Sequence, residues 1–273
     1  MTMAQSGETI LLLGGGNMGT ALLGGWLEAG LQPDKVLVVD PKVGEALQPL
    51  LEKGVRHAAS VPAGATFDVA LLAVKPQMMD AALPALKAAL EAGSLAISIA
   101  AGTTVAAIER HLGERPVVRA MPNTPALISR GITGAYANAR VDAAGRATAD
   151  RLLSASGPVE WVDSEALIDA VTGVSGSGPA YVFYLAECLA KAGEAVGLPA
   201  DLAMRLARHT VAGAGELMIR SGDTPAKLRQ NVTSPNGTTQ AALDVLMAED
   251  ALAPLVERAV RAARDRAEEL AKG

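Results

Sequence analysis

Aromatic residues are scarce in this chain: two Trp, three Tyr and two Phe make up 3% of 273 positions. Its interior must therefore be assembled from Ala, Val, Leu, Ile and Met, and since half of the residues are apolar, the material is there. Cysteine is nearly absent too. Cys188 stands alone, which excludes a disulfide within one chain and a Cys-based metal site. The histidines His57, His111 and His209 lie far apart, without ligand-like spacing, so no metal is expected. No apolar run approaches the roughly 20 residues that a membrane-spanning helix needs. No Lys/Arg run stands against the net charge of -5, whereas a nucleic-acid binder needs a basic stripe to neutralise phosphates. Membranes and nucleic acids are thus not expected partners. The first residues, Met1 to Glu8, lack the basic segment of a signal peptide, and a cytoplasmic protein is the expectation.

What is present falls into two halves, in keeping with a length that suits about two domains. Up to Asp163, short apolar runs alternate with helical stretches. Ile10–Leu13, Val36–Val39, Val69–Val74, Leu95–Ile99 and Val117–Ala120 read as strands, bounded by Gly, Pro or Asp. Their near-continuous apolarity suits a parallel sheet covered on both faces. Met18, Ala21, Leu22, Gly25, Trp26 and Ala29 share one face of the first helix. The expected fold is α/β: a Rossmann-type doubly wound sheet over 1–163. From 164 to 273 the strands give way to helices, expected near 165–173, 179–196, 200–220, 225–231, 238–248 and 251–271. Pro179 and Pro225 sit where helices start, the latter behind a capping Thr224. The small residues of Thr210–Gly215 would let helices approach closely. A helical domain with so few large side chains buries little surface alone, so it is expected to pair with its copy in a homodimer.

The strand Ile10–Leu13 runs directly into Gly14, Gly15, Gly16, Asn17, Met18 and Gly19, and then into the helix. Strand, G-x-G-x-x-G and helix in that order form a dinucleotide site. Gly14 allows the tight turn, Gly16 admits a pyrophosphate and Gly19 permits close helix–strand contact. A ligand-free glycine turn is the alternative. Asp40 ends the second strand, where an acidic group accepts hydrogen bonds from the ribose hydroxyls and repels a 2′-phosphate. It favours NADH over NADPH, although Lys42 could pair with that phosphate and Asp40-Pro41 could merely start a turn. Lys75, at the carboxyl end of the Val69–Val74 strand, is either a phosphate or cofactor contact or a surface lysine. The Ser98–Gly102 turn occupies the equivalent place after the next strand, and its Ala100, Ala101 and Gly102 suit a flat nicotinamide or ribose.

Three further segments are unusual for a generic dinucleotide enzyme. Arg119-Ala-Met-Pro-Asn-Thr-Pro125 sets prolines on both sides of Asn123 and Thr124, and Pro fixes the backbone there. Gly173-Val-Ser-Gly-Ser-Gly-Pro-Ala-Tyr181 is a glycine loop opening a long helix, and Val232-Thr-Ser-Pro-Asn-Gly-Thr-Thr239 opens another.

Together with Ala73-Val-Lys-Pro-Gln77 and Gly14-Gly-Gly-Asn-Met18, these segments resemble the pyrroline-5-carboxylate reductase family, in order and over nearly the whole chain. The resemblance implies an NADH- or NADPH-dependent enzyme that reduces the C=N bond of 1-pyrroline-5-carboxylate to L-proline, the last step of proline synthesis. It also implies a helical dimerisation domain, an active site completed by the partner subunit and, commonly, a larger ring of dimers. Gly14, Gly15, Gly16, Asn17, Met18, Asp40, Ser60, Ala73, Val74, Lys75, Pro76, Ala100, Ala101, Gly102, Met121 and Asn123 then fall on the cofactor. Ser177, Ser234, Gly237, Thr238 and Thr239 fall on the imino acid.

The chemistry at these positions is coherent. The N–H groups of Gly237, Thr238 and Thr239, with the Ser234 hydroxyl nearby, would hold a carboxylate without an arginine. Hydrogen bonds to a charged group contribute about 1.5–3 kcal/mol each, against about 0.3–1 for the helix dipole, so the N–H groups do most of the holding. In the family the residue matching Thr239 also bonds the ring nitrogen through its hydroxyl, which makes it the catalytic candidate. No His, Cys or carboxylate occurs in these loops, so positioning carries the catalysis, and the substrate either enters as the iminium or is protonated through Thr239 or water. Structural alternatives stand beside each: Thr238 and Thr239 as helix N-caps, Ser175, Ser177 and Gly178 as helix start and dimer packing. Three positions depart from the family pattern: Asn236 for a Gly, Ser60 for an Asn, and Asp40 for a Ser or Asn. A β-hydroxyacid dehydrogenase would need a catalytic Lys early on the 179–196 helix, and Lys191 lies near its far end. A cofactor-sensing regulator would have lost the substrate loop, which here is intact.

Overall fold

The structure, a computed structural model, describes residues 7–272. The first six residues of the segment read against a signal peptide therefore lie outside the described residues. Two compact units form: one runs up to Gly176 and takes back the chain from Ala263 onward, the other is Ser177–Ala262. The sequence reading divides the chain at 163/164, where strands cease. The first unit instead continues through one more short helix, because that helix packs on the sheet.

The sheet has eight strands: β1 (Ile10–Leu13), β2 (Val36–Val39), β3 (Arg56–Ala58), β4 (Phe67–Leu72), β5 (Leu90–Ser98), β6 (Val117–Met121), β7 (Thr133–Ala137) and β8 (Val159–Trp161). Their order is β3-β2-β1-β4-β5-β6-β7-β8. All pairs are parallel except β6 with β7. The five strands expected from apolar runs are the central ones. The three others lack the signal: β3 is Arg-His-Ala and only partly buried, β7 is Thr-Gly-Ala-Tyr-Ala, without an aliphatic run, and β8 is three residues long. The order reverses between β1 and β4, which opens a crevice at their carboxyl ends.

Six helices belong to this unit: α1 (Asn17–Glu28), α2 (Gln48–Glu52), α3 (Met79–Leu86), α4 (Val105–Leu112), α5 (Ala143–Ser154) and α6 (Leu167–Val171). Because successive strand residues point to opposite faces, β1 sends Ile10 and Leu12 into one core and Leu11 and Leu13 into the other. The first core packs under α1 and α5, the second under α3 and α4. Trp26 is fully buried and its indole N–H donates to the Leu152 carbonyl at 2.7 Å. Gly25 permits this approach, since a Cβ there would lie 2.7 Å from the Ala155 carbonyl oxygen.

The second unit is helical: α7 (Gly178–Ala195), α8 (Ala200–Arg220), α9 (Pro225–Asn231), α10 (Thr238–Leu246) and the first turns of α11 (Leu252–Lys272), whose last turns belong to the first unit. Thr224 caps α9, accepting from the Lys227 N–H at 3.2 Å. Between α6 and α7 the chain makes a π-helical turn over Thr172–Gly176, where the sequence reading ends a helix near 173. Among the described residues of this unit, only Ala190, Ala203 and Ala207 are buried. Phe183, Tyr184, Ile219 and Val245 are exposed, at 62%, 64%, 77% and 71%. A Cβ on Gly213 or Gly215 would meet nothing within 4 Å, so among the described residues no other helix uses the close approach that they allow. Among the described residues no helix is long and apolar enough to cross a membrane.

Candidate functional site

The crevice beside β1 is a cleft of about 700 Å³, within the usual range for a small-molecule site. Gly14, Gly16, Asp40, Ser60, Ala73, Val74 and Lys75 all line it, which brings seven of the sequence-chosen cofactor residues to one place. Lys42 lines it as well. Gly14 adopts φ +105°, and a Cβ there would lie 2.9 Å from the Ala73 carbonyl carbon and oxygen. Only glycine fits that turn. A Cβ on Gly19 would come within about van der Waals overlap of the Gly14 carbonyl, at 2.5 Å. Around Gly16, by contrast, there is open space, so the backbone is bare toward the cleft. No side chain caps α1, and its first-turn N–H groups are left for an anion. The cradle therefore fits a dinucleotide pyrophosphate.

Asp40 does more than the sequence discloses. Its Oδ2 accepts from the Gly15 N–H at 2.8 Å and its Oδ1 from the Lys42 N–H at 2.9 Å. The carboxylate thus pins the glycine loop to the end of β2, and Gly15 lies buried beneath it. Behind it the His57 ring nitrogen Nε2 bonds the Asp40 carbonyl at 2.9 Å. Lys42 and Lys75 are exposed at the mouth. Residues that the sequence reading misses are Ala81, Ala82 and Ala85 of α3, whose small side chains form a wall of the cleft, together with Met78. They carry no motif; only the position of α3 after the Lys75 turn could have pointed to them.

The other cofactor candidates lie outside this cleft. Asn17 is exposed, and Met18 and Pro76 are half-buried. Ala100 is buried in the second core. Gly102 has φ +71° and packs under Leu270 of α11, where a Cβ would meet the Leu270 Cβ at 2.9 Å; its glycine is required by packing and turn geometry. Met121 packs its side chain against Gly176. Asn123 is buried, accepts from the Ile132 N–H at 3.0 Å and donates from Nδ2 to the Ser175 hydroxyl at 3.2 Å. These two residues tie the end of β6 to the π-helical turn.

Ser177, Ser234, Gly237, Thr238 and Thr239 belong to the helical unit. Asn236 has φ 60°, a left-handed conformation that Asn tolerates best after glycine. Gly237 is the N-cap residue of α10 and no side-chain hydrogen bond caps this helix. Thr238 and Thr239 are therefore its first two residues and not its caps, and their hydroxyls are not spent on the helix. One expectation changes: the Gly237 N–H donates to the Ser234 carbonyl at 3.0 Å, because the chain closes a tight turn there, so it is not free for an anion. The Ser234 side chain lies over Gly237, at the place that a Cβ would take. Ser177 precedes α7 without capping it.

Residues 165–270 match the family described as pyrroline-5-carboxylate reductase dimerisation, and residues 9–102 match NADP oxidoreductase coenzyme F420-dependent. The pyrroline-5-carboxylate reductase of Pseudomonas aeruginosa is 46% identical over 98% of both chains. A solved structure of a pyrroline-5-carboxylate reductase from Coxiella burnetii aligns with TM-score 0.91 at 38% identity, over 98% of this chain and 100% of that one. The Plasmodium falciparum pyrroline carboxylate reductase, solved with NADP bound, aligns with TM-score 0.82 at 27% identity over 97% and 98%. With two units whose motifs, order and fold all agree with these relatives, the chain belongs to the pyrroline-5-carboxylate reductase family.

Proposed function

We propose that this chain reduces 1-pyrroline-5-carboxylate to L-proline with NADPH or NADH. The observation that carries the reading is the identity of 46% over essentially full length to a curated reductase, joined to a glycine cradle that fits a dinucleotide. When bound, the reduced nicotinamide supplies a hydride to the C=N carbon.

The chain's own part is to bind, orient and protonate. The first-turn N–H groups of Thr238 and Thr239 hold the substrate carboxylate at the positive end of α10, and the Ser234 hydroxyl adds a third donor. The Thr239 hydroxyl, free of capping duty, bonds the ring nitrogen and relays to it a proton drawn from water, which restores the hydroxyl as the amine forms. No titrating acid is called for: orientation supplies the rate, through the effective concentration of two partners held in line. Ser177 lines the same substrate in this reading. Gly14, Gly15, Gly16, Asn17, Met18, Ala73, Val74, Lys75 and Pro76 serve the pyrophosphate and adjoining ribose. Asp40 and Ser60 serve the adenosine ribose. Ala100, Ala101, Gly102, Met121 and Asn123 serve the nicotinamide end. Asp40 keeps a negative charge where a 2′-phosphate would lie, which favours NADH.

The active form is a homodimer through the helical unit, whose exposed apolar side chains have no cover within the chain. Larger rings of dimers follow the family pattern and are read, like the dimer, from the mass of the protein in solution. With a lone thiol, Cys188, the chain suits the cytoplasm. The test is product identification: NADH or NADPH oxidised in the presence of pyrroline-5-carboxylate yields proline mole for mole. Oxidation without proline refutes the assignment.

A further inference from the structure

Arg119 is 2% exposed in the middle of β6, where its guanidinium lies buried among apolar strands. Its Nη2 donates to Asp169 Oδ1 of α6 at 2.6 Å and its Nη1 to Glu165 Oε1 at 3.3 Å. The same Glu165 oxygen accepts from the Val105 N–H, the first N–H of α4, at 2.8 Å. One guanidinium therefore links three segments: the start of α4, which the Ala100–Gly102 turn feeds; the end of β6, which leads to Met121 and Asn123; and α6, which runs into the Thr172–Gly176 π turn. Asn123 closes the circuit through its bond to Ser175.

Stability alone does not account for such a device. Desolvating a guanidinium and two carboxylates offsets most of their attraction, and apolar residues of the same volume generally hold a core as well. The Arg119 Nε is moreover buried without a hydrogen-bond partner, a cost that an apolar side chain would avoid. What the network supplies is direction: fork-like donors fix the angle between elements, which packing alone leaves looser.

We propose that Arg119, with Asp169 and Glu165, is a positioning residue that sets the spacing of the Ala100–Gly102 and Met121–Asn123 turns and so immobilises the nicotinamide end of the cofactor. It rests on the reading above that these turns face the nicotinamide. The adenosine end has its own cleft, lined by none of the three residues, so nucleotide affinity and ring immobilisation should separate.

The experiment uses full-length Arg119→Lys and Asp169→Asn, each checked for folding by thermal melt. NADPH titration gives Kd, and the fluorescence anisotropy and enhancement of the bound nicotinamide report how firmly the ring is held. The expected result is a Kd within about threefold of the parent, with a nicotinamide enhancement reduced by about half or more and kcat lowered about tenfold at little change in KM. Unchanged enhancement and kcat in folded variants overturn the proposal, as does a loss that merely follows the unfolded fraction. If Arg119→Lys does not fold, Asp169→Asn decides on the same readings; if neither folds, Arg119 is a stability element and the proposal falls. Should the parent chain bind NADPH but leave pyrroline-5-carboxylate unreduced, the assigned reaction fails, while the fluorescence still decides the role of Arg119.

Discussion

The two units of this chain differ in how they are held together. The sheet unit buries large aliphatic side chains on both faces, with Trp26, Leu71, Leu72 and Leu83 wholly inside. The helical unit buries three alanines and leaves Phe183, Ile219 and Val245 in the open. At about 25 cal/mol per Å² of buried apolar surface, the first arrangement gains far more from burial within the chain than the second. In the proposed homodimer, a unit of this second kind is finished by another copy. Assembly and activity are then one property, since the proposed substrate loop, Ser234–Thr239, lies in the unit that needs the partner.

The largest effect should come from breaking that dependence. Phe183→Asp combined with Ile219→Asp puts two charges on faces left uncovered in the single chain. Sedimentation should show monomers and activity should fall by about a hundredfold or more, as for loss of hot-spot contacts. An active monomer would erase the contrast between the units. Thr239→Ala should lower kcat/KM by about ten- to a hundredfold, the value of one hydrogen bond to a charged group, with an unaltered melting temperature. If the rate is unchanged, the hydroxyl has no part in protonation. In the sheet unit, Gly14→Ala meets the Ala73 backbone at 2.9 Å; it should raise the Kd for either nucleotide by about tenfold through strain of about 1–2 kcal/mol at positive φ. In its kinetics Asp40→Ser should act on cofactor choice alone, moving the NADPH/NADH ratio of kcat/KM upward by about tenfold. It should also lower stability slightly, because the Gly15 N–H loses its acceptor. A constant ratio would confine Asp40 to holding the loop.

Legibility in the sequence follows the same division. Central strands buried on both faces announce themselves as apolar runs, and the G-x-G-x-x-G turn is readable because its glycines answer to geometry. Edge strands such as β3 and β8 are short and half-exposed, so no run marks them. The starts of helices α7 and α9 are legible from Pro179, Thr224 and Pro225, since caps are local chemistry. Contacts between distant residues are not. Nothing near Asp40 in the sequence says that it takes the Gly15 N–H. Arg119 opens the Arg119–Pro125 segment, but its pairing with Asp169 and Glu165 depends on where α6 settles against β6.

The most direct measurement is the initial rate of nucleotide oxidation by the folded dimer, with pyrroline-5-carboxylate and with 1-pyrroline, which has no carboxylate. Turnover of the first, with kcat/KM for the second lower by about a hundredfold for want of the group held at the start of α10, is the predicted result. No turnover of pyrroline-5-carboxylate with either NADH or NADPH would contradict the account.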